Sequence, residues 1–447
     1  DGTCHFLWSV PPEIFTGTRD ELCIVACLKP CLETAAEAAE RFGCDRDEAK
    51  VWRDVLAHYP APARHPDGGW WCGPEIPDDH YMYGGHLFYP FFPSEADTDP
   101  DVAKKTLDYV WKYAVEISYE TPLPHPVHEW SALYTGIAAT RLFGGERGWK
   151  ALTDFHAAFG KPSGLFSHNP IIVTDLTVQQ AVANVKKAPK LMRRNCHGQI
   201  SGWGRGGPND LTYNPDGKRL VAPVLEGGAA FLLLSSEALC QGWGGEIRLF
   251  PSVPKRFSGR FENFRVRGGY VVSAEMKDGK LVDYAVEGVK PDDKIGVSCP
   301  TDPSFVQLPG EPAWKKPLPP GPFPDVLSAY VFRNWGLVPK RVLAETIGAL
   351  ETDVTMVATE MGLDPDPKVS PRWRDMGYVT ILRRNWHLMP YSQLMRLVGK
   401  DRRQMRYSIV EDDYLATKLG MPKPNCPRLV YSAESAAAGR TARERLR

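Results

Sequence analysis

Pro223-Val224-Leu225-Glu226-Gly227-Gly228-Ala229-Ala230-Phe231 opens the stretch that decides the fold, and it runs on through Ser236, Gly245 and Arg248 to Pro254. From Ala229 to Cys240 the chain is apolar on nearly every face, the pattern of a helix wrapped by other helices. Gly242, Gly244 and Gly245 stop that helix. Glu246-Ile247-Arg248-Leu249-Phe250 then alternates with period two, as a strand does. A buried helix running directly into β structure predicts a multidomain α+β chain with a carboxylate, Glu226, at the helix entrance. Unpaired N–H groups and the macrodipole at a helix N-terminus favour an ionised carboxylate. Glu226 therefore reads as a base or the orienter of one, or as a plain helix-capping acid. Gly227 and Gly228 permit close approach of a ligand or of a neighbouring helix.

Upstream, residues 20–58 read as two helices, with Pro30 expected to kink or divide the first and Gly43 to end it. Helical periodicity returns over 103–119, 130–143 and 147–159, and such short-linked hairpins suggest a bundle or an α/α toroid. Between them lies a loop, 60–100, dense in carboxylate, histidine and aromatic groups around Trp70, Trp71, Cys72, Glu75, Tyr83 and His86. Aromatic faces of this kind pack on the C–H face of a sugar ring, or else pin the loop by burying themselves. Residues 185–222 form a polar, glycine-rich insertion. The Gly-x-Gly-x-Gly-Gly run at 202–207 has no preceding strand and is not a phosphate loop.

Downstream, 246–298 alternates strands and turns as a small antiparallel sandwich, with Lys277-Asp278-Gly279-Lys280 a strong hairpin turn. Residues 299–324 hold nine prolines and read as an extended linker. Residues 325–447 are helical, and Leu343-Ala344-Glu345-Thr346-Ile347-Gly348-Ala349-Leu350-Glu351-Thr352-Asp353-Val354 has helix-turn-helix spacing. A looser second copy surrounds Val398-Gly399. This region has 20 Lys and Arg against 14 Asp and Glu, and its first recognition-type helix carries Asp353 and Glu360 but no Lys or Arg. DNA phosphates need cations at the docked surface, so nucleic acid is not expected. A module that binds protein, or that packs on the sandwich, is. The domains are thus expected at 1–244, 245–300, 301–324 and 325–447.

The 447 residues suffice for two or three cores. A formal net charge of zero provides no global field for nucleic acid or anionic lipid. No apolar run approaches bilayer length, so a soluble chain is expected. The start at Asp1 rather than Met suggests a processed product or a piece of a longer chain, and leaves the compartment open. Ten cysteines are scattered along the chain. Cys23, Cys27 and Cys31 lie four apart without a fourth ligand or tight pairs, so buried thiols are expected and no metal or other cofactor.

Four stretches together resemble glycoside hydrolase family 95, the inverting α-L-fucosidase and α-L-galactosidase group. Asp1-Gly2 with residues 9–13 is similar to that family's D-G-x-x-x-x-x-P-S-x-S-P-E. Glu129-Trp130-Ser131 through Arg141-Leu142-Phe143-Gly144-Gly145-Glu146-Arg147 resembles G-W-S-x-A-W…A-R-L-x-D-G-x-R, and Gly85-His86-Leu87 through Pro93 resembles S-H-L-x-x-L-x-P. The opening stretch with Gly245-Glu246-Ile247-Arg248-Leu249-Phe250-Pro251 resembles I-D-G-N-F-G-G…G-E-I-R-L-L-P, with twenty positions between Glu226 and Glu246. The resemblance implies a partial α/α toroid of the six-hairpin glycosidase type, then a β-sandwich; it does not reach 325–447. It implies an oligosaccharide or glycoside substrate and an acid/base pair of groups. Glu226 falls on the base-orienting position. Glu75, or on a shifted alignment Cys72, falls on the acid position, and burial of Glu75 between the tryptophans would raise its pKa as an acid requires. Trp70, Trp71, Tyr83, His86 and His168 would line the sugar pocket, with Glu129 in reserve. The family's asparagine pair would lie upstream of Asp1, so this chain alone is expected not to turn over. A non-catalytic carbohydrate-binding relative and a sugar-sensing regulator are the alternatives.

Overall fold

Helix α1, Leu22–Phe42, is started by the buried Glu21 carboxylate accepting from Ile24 N at 3.1 Å and stopped by Gly43 in the left-handed region. The computed structural model describes residues 2–7, 18–76, 99–117, 129–160, 164–166, 193–194, 200–201, 225–412 and 415–445. Of the two outcomes expected at Pro30, division does not occur: α1 runs unbroken through it. The buried stripe of Leu22, Val25, Ala26, Ala36 and Ala39 spans both sides of it, so packing outweighs one lost backbone hydrogen bond. The protein is of the mixed α+β class, and its chain divides into two compact units, Asp1–Gly244 with Phe250–Lys255 and Gly245–Leu249 with Arg256–Arg447.

In the first unit, α2 (Arg46–Ala57) packs back on α1, with Arg53 forking onto Glu40 at 2.9 Å. Helices α3 (Pro100–Ile117), α4 (Glu129–Leu142), α5 (Gly145–Phe159) and α6 (Leu225–Leu239) follow. A turn through Gly144 and Gly145, both at positive φ, joins α4 to α5, and Gly145 N donates to Pro251 O at 2.8 Å. A Cβ at Gly144 would stand 2.8 Å from that same oxygen, so only glycine fits. Helix α6 lies on α4 and α5 through Ile137, Phe155, Phe159, Ala230, Leu234 and Ala238. Gly136 is what lets it close in, since a Cβ there would come within 2.6 Å of Leu234 Cδ2.

Helix α6 differs from the expectation in two respects. It begins at Leu225, so Glu226, Gly227 and Gly228 belong to its first turn. It also keeps an open stripe among the described residues, with Leu225 87 % and Leu232 69 % exposed. Leu239 then passes directly into β3, Cys240–Trp243, while β1 (Arg193–Arg194) and β2 (Ile200–Ser201) form a short antiparallel pair earlier in the chain.

In the second unit, β4 (Glu246–Leu249) pairs in parallel with β8 (Gly296–Ser298). β5 (Gly259–Val266), β6 (Tyr270–Lys277) and β7 (Lys280–Glu287) form an antiparallel meander. Asp278 and Gly279 both have positive φ, as a two-residue hairpin turn requires, and they fix the Lys277–Lys280 register. The proline-rich stretch is not a spacer. Leu308 is buried in the helical core, Glu311 receives both arms of Arg402 at 2.9 Å, and Asp302 takes Lys280 Nζ and Leu281 N at 3.0 Å. Proline fixes an extended backbone without stopping its side chains from packing.

The helices are α7 (Val326–Asn334), α8 (Lys340–Ile347), α9 (Glu351–Glu360), α10 (Trp373–Met376), α11 (Tyr378–Asn385), α12 (Tyr391–Val398), α13 (Arg402–Val410), α14 (Leu415–Leu419) and α15 (Ala433–Glu444). Both expected helix-turn-helix copies are present, as α8–α9 turning at Gly348 and α12–α13 turning at Gly399. The likeness extends further, because α7–α8–α9 and α11–α12–α13 repeat at an offset of 51 residues and contact each other reciprocally. Asn334 Nδ2 donates to Asn385 Oδ1 at 2.8 Å and Asn385 Nδ2 to Asn334 Oδ1 at 2.7 Å. Arg333 Nη1 donates to Arg384 O at 2.9 Å and Arg384 Nη1 to Arg333 O at 2.8 Å. Each asparagine also donates to the carbonyl one turn back in its own helix. The two copies are therefore related by a local pseudo-two-fold axis between the asparagines.

Both amides are fully buried, so removing one strands the other. Asn334→Leu or Asn385→Leu alone is expected to cost about 1–3 kcal/mol in urea unfolding, and the double variant to recover most of it. Additive losses in the double variant would show that the two amides are not coupled.

Candidate functional site

The loop that carries Glu75 is held by its tryptophans, which point inward. Trp70 N donates to Thr106 Oγ1 of α3 at 2.8 Å, and the indole packs among Leu22, Val25, Ala26 and Ala103. Trp71 N donates to Ala63 O and its Nε1 to Ile76 O, both at 2.8 Å. At 2 % and 4 % exposure, neither ring presents a face on which a sugar could stack. Of the two readings of this loop, burial of its own aromatics is the one observed for these residues. The expected role of Trp70 and Trp71 as pocket lining is corrected accordingly.

Glu75 lies at the exposed end of this loop rather than between the indoles. Its Oε2 accepts from Thr18 Oγ1 at 2.6 Å and from Arg19 N at 2.9 Å. Gly73 permits that approach, because a Cβ at this position would overlap the Thr18 side chain. The Thr18 hydroxyl first, and the Arg19 amide next, hold the Glu75 carboxyl below the usual glutamate range. This is the reverse of the expected upward shift, and it makes Glu75 an anion where the acid role needs a proton. Cys72 is completely buried, and desolvation pushes its thiol well above the ordinary range. It holds its proton and is closed off from solvent.

The raised carboxyl in this neighbourhood belongs to Glu21, which sequence reasoning did not select. Burial raises it, against the backbone donors of Cys23 and Ile24, and Leu22 N donates to Cys72 O at 2.9 Å beside it. An acidic residue immediately before an apolar helical run was the available signal, and it reads as a helix cap. Of the three evenly spaced thiols, Cys23 is buried, Cys27 half-buried and Cys31 exposed, so only part of that face faces inward.

Glu226 stands exposed in the first turn of α6. Arg141 of α4 fixes that helix by forking onto Glu237, Nη2–Oε1 at 2.6 Å and Nε–Oε2 at 3.0 Å, with its guanidinium 5.5 Å from the Trp243 ring centroid. Phe231, one turn above Gly227, stacks on Phe166 at 4.7 Å between centroids and lies 5.5 Å from His156. The Trp70 loop packs on α1 and α3, whereas Glu226 leads a helix that packs on α4 and α5. Tyr83, His86 and His168 lie outside the described residues.

Among the described residues no group of three or more His, Cys, Asp or Glu side chains is arranged to hold a metal ion, and no helix is long and apolar enough to cross a membrane. In the second unit, Arg402 is engaged by Glu311 and Arg403 donates to Pro303 O at 3.2 Å. Two cations of the second helix-turn-helix copy, Arg402 and Arg403, thus bond to the chain itself.

No protein-family model matches the chain, and no curated protein matches it either.

The Glu75 geometry has a measurable consequence. Its carboxyl carbon, followed by NMR, is expected to titrate below the ordinary glutamate range, and Thr18→Val to move the midpoint upward. A group with a depressed folded pKa stabilises above its unfolded pKa and loses that contribution as pH falls through the folded value. An unshifted midpoint in both proteins would remove the Thr18 hydroxyl as the cause.

Proposed function

We propose that this protein is a glycoside hydrolase of the family 95 kind, acting on α-linked fucose- or galactose-type sugars by inversion, with Glu226 on the water-activating side. In this reading the helices of the first unit belong to an α/α toroid and the strands after Leu239 to its companion sandwich. The observation that carries the proposal is the setting of Glu226. It is solvent-exposed at the amino end of a helix whose far end the Arg141–Glu237 fork anchors. An inverting reaction needs such a carboxylate, held rigidly, to orient or deprotonate the attacking water while a separate acid protonates the leaving oxygen. Glu75 does not suit that second role, since its donors favour the anion.

That same point supports a second reading, a carbohydrate-binding relative without turnover. With Glu75 held as an anion and Cys72 enclosed, the pair selected by the resemblance includes no group able to donate a proton to substrate.

Assay of the full-length protein on aryl α-L-fucosides and α-galactosides separates the two. Glu226→Gln is expected to lower kcat about 100-fold or more, and Glu75→Gln to change it by less than about 3-fold. Unchanged turnover in Glu226→Gln would end the role given to that residue. Calorimetric binding of fucose or galactose, with no glycoside hydrolysed, would establish the binding-only reading instead.

A further inference from the structure

Lys423-Pro424-Asn425-Cys426 encloses an amine and a thiol in direct contact. Lys423 is 2 % exposed, and its Nζ donates to Trp386 O at 2.8 Å, Met389 O at 2.9 Å and Pro424 O at 3.1 Å. Its fourth neighbour is Cys426 Sγ at 3.4 Å, and the Trp386 and Tyr391 rings stand 5.2 and 5.9 Å away. Cys426 is 6 % exposed, and Asn425 and Pro427 on either side of it are open to solvent, so the thiol sits in a segment that borders the surface. Small oxidants reach such depths where substrates do not.

We propose that Lys423 and Cys426 form an oxidation-dependent covalent site, in which the lysine amine traps oxidised Cys426 as a nitrogen–sulfur bridge. The oxidant is hydrogen peroxide. Burial raises the Cys426 thiol, so the reactive thiolate arises when its proton passes to the Nζ amine 3.4 Å away; that sulfur attacks one peroxide oxygen and the O–O bond breaks. The departing hydroxide takes a proton from the ammonium, leaving a sulfenic acid, a neutral amine and one water. The Nζ lone pair then attacks sulfur, the S–O bond breaks, and the expelled hydroxide takes the amine's proton as a second water. Sulfur is oxidised by two electrons, peroxide is reduced, and one S–N bond replaces an S–H and an N–H bond. Proximity favours this over further oxidation, because the amine is already in contact with sulfur when the sulfenic acid forms. Burial lowers the lysine pKa, which makes the neutral amine accessible for the second step.

The bridge also changes the fold around it. As an ammonium, Nζ serves three carbonyls, two of which belong to the turn between α11 and α12. As a bridged nitrogen it keeps one hydrogen and no charge, so at least two of those carbonyls lose their donor. The site therefore converts an oxidant signal into loosening of that turn.

The test uses the full-length protein treated with a small excess of hydrogen peroxide and digested with trypsin without reduction. Trypsin does not cut the Lys423–Pro424 bond, so peptide 419–428 retains both residues. The expected product is that peptide about 2 Da lighter, resistant to iodoacetamide and restored by dithiothreitol. A reversible fall in Tm of about 2–4 °C should accompany it. Lys423→Arg keeps a cation but removes the nucleophilic amine, so Cys426 in that variant should go on to a product about 32 Da heavier. Cys426→Ser should show neither change. Peptide 419–428 carrying sulfinic or sulfonic acid with a free Lys423 in the unsubstituted protein, or left unmodified, would overturn the proposal.

Discussion

The position of the candidate carboxylate depends on a charge pair several turns away. Arg141 meets Glu237 with two near-parallel hydrogen bonds in a half-buried setting, where the fork geometry fixes direction as well as distance. Glu237 is on the same helix as Glu226, eleven residues on, or about 16 Å along the axis. A helix is stiff over that length, so the fork and the close contact of Leu234 with Gly136 together set where Glu226 stands. Side chains several turns from Glu226 in this way determine where its carboxylate stands.

The residues around the Trp70 loop show how environment assigns roles to identical side chains. Glu75 and Glu21 are both glutamates close to the start of α1. Glu75 is exposed and accepts from two donors, which lowers its pKa, while Glu21 is buried and desolvation raises its pKa. The tryptophans contribute by burial, forming the base on which the loop rests.

Much of this fold was legible in the sequence because its signals are local. Helical periodicity marked α3 to α5, Gly43 and Gly348 marked the ends of α1 and α8, and Asp278-Gly279 marked the hairpin. What was not legible depends on partners distant in the chain. Composition showed that Trp70 and Trp71 were present but not which way they faced, because that is decided by Thr106 and Ala63. The same holds for Glu75, whose donors come from residues 18 and 19. Nine prolines read as a spacer, whereas burial of Leu308 and Glu311 was set by helices that follow a hundred residues of chain or less away. The 51-residue offset was open to view in Arg333-Asn334-Trp335 and Arg384-Asn385-Trp386, but helix-turn-helix spacing alone detected only its second half.

That offset has a consequence for how the second unit is held together. Each copy covers the apolar side of the other and supplies the amide its counterpart needs, and the segment 361–377 that joins them adds Met361, Leu363 and Trp373 to the same core. Neither copy can open without baring the apolar side of the other and stranding its buried amide, so the pair is expected to unfold as one.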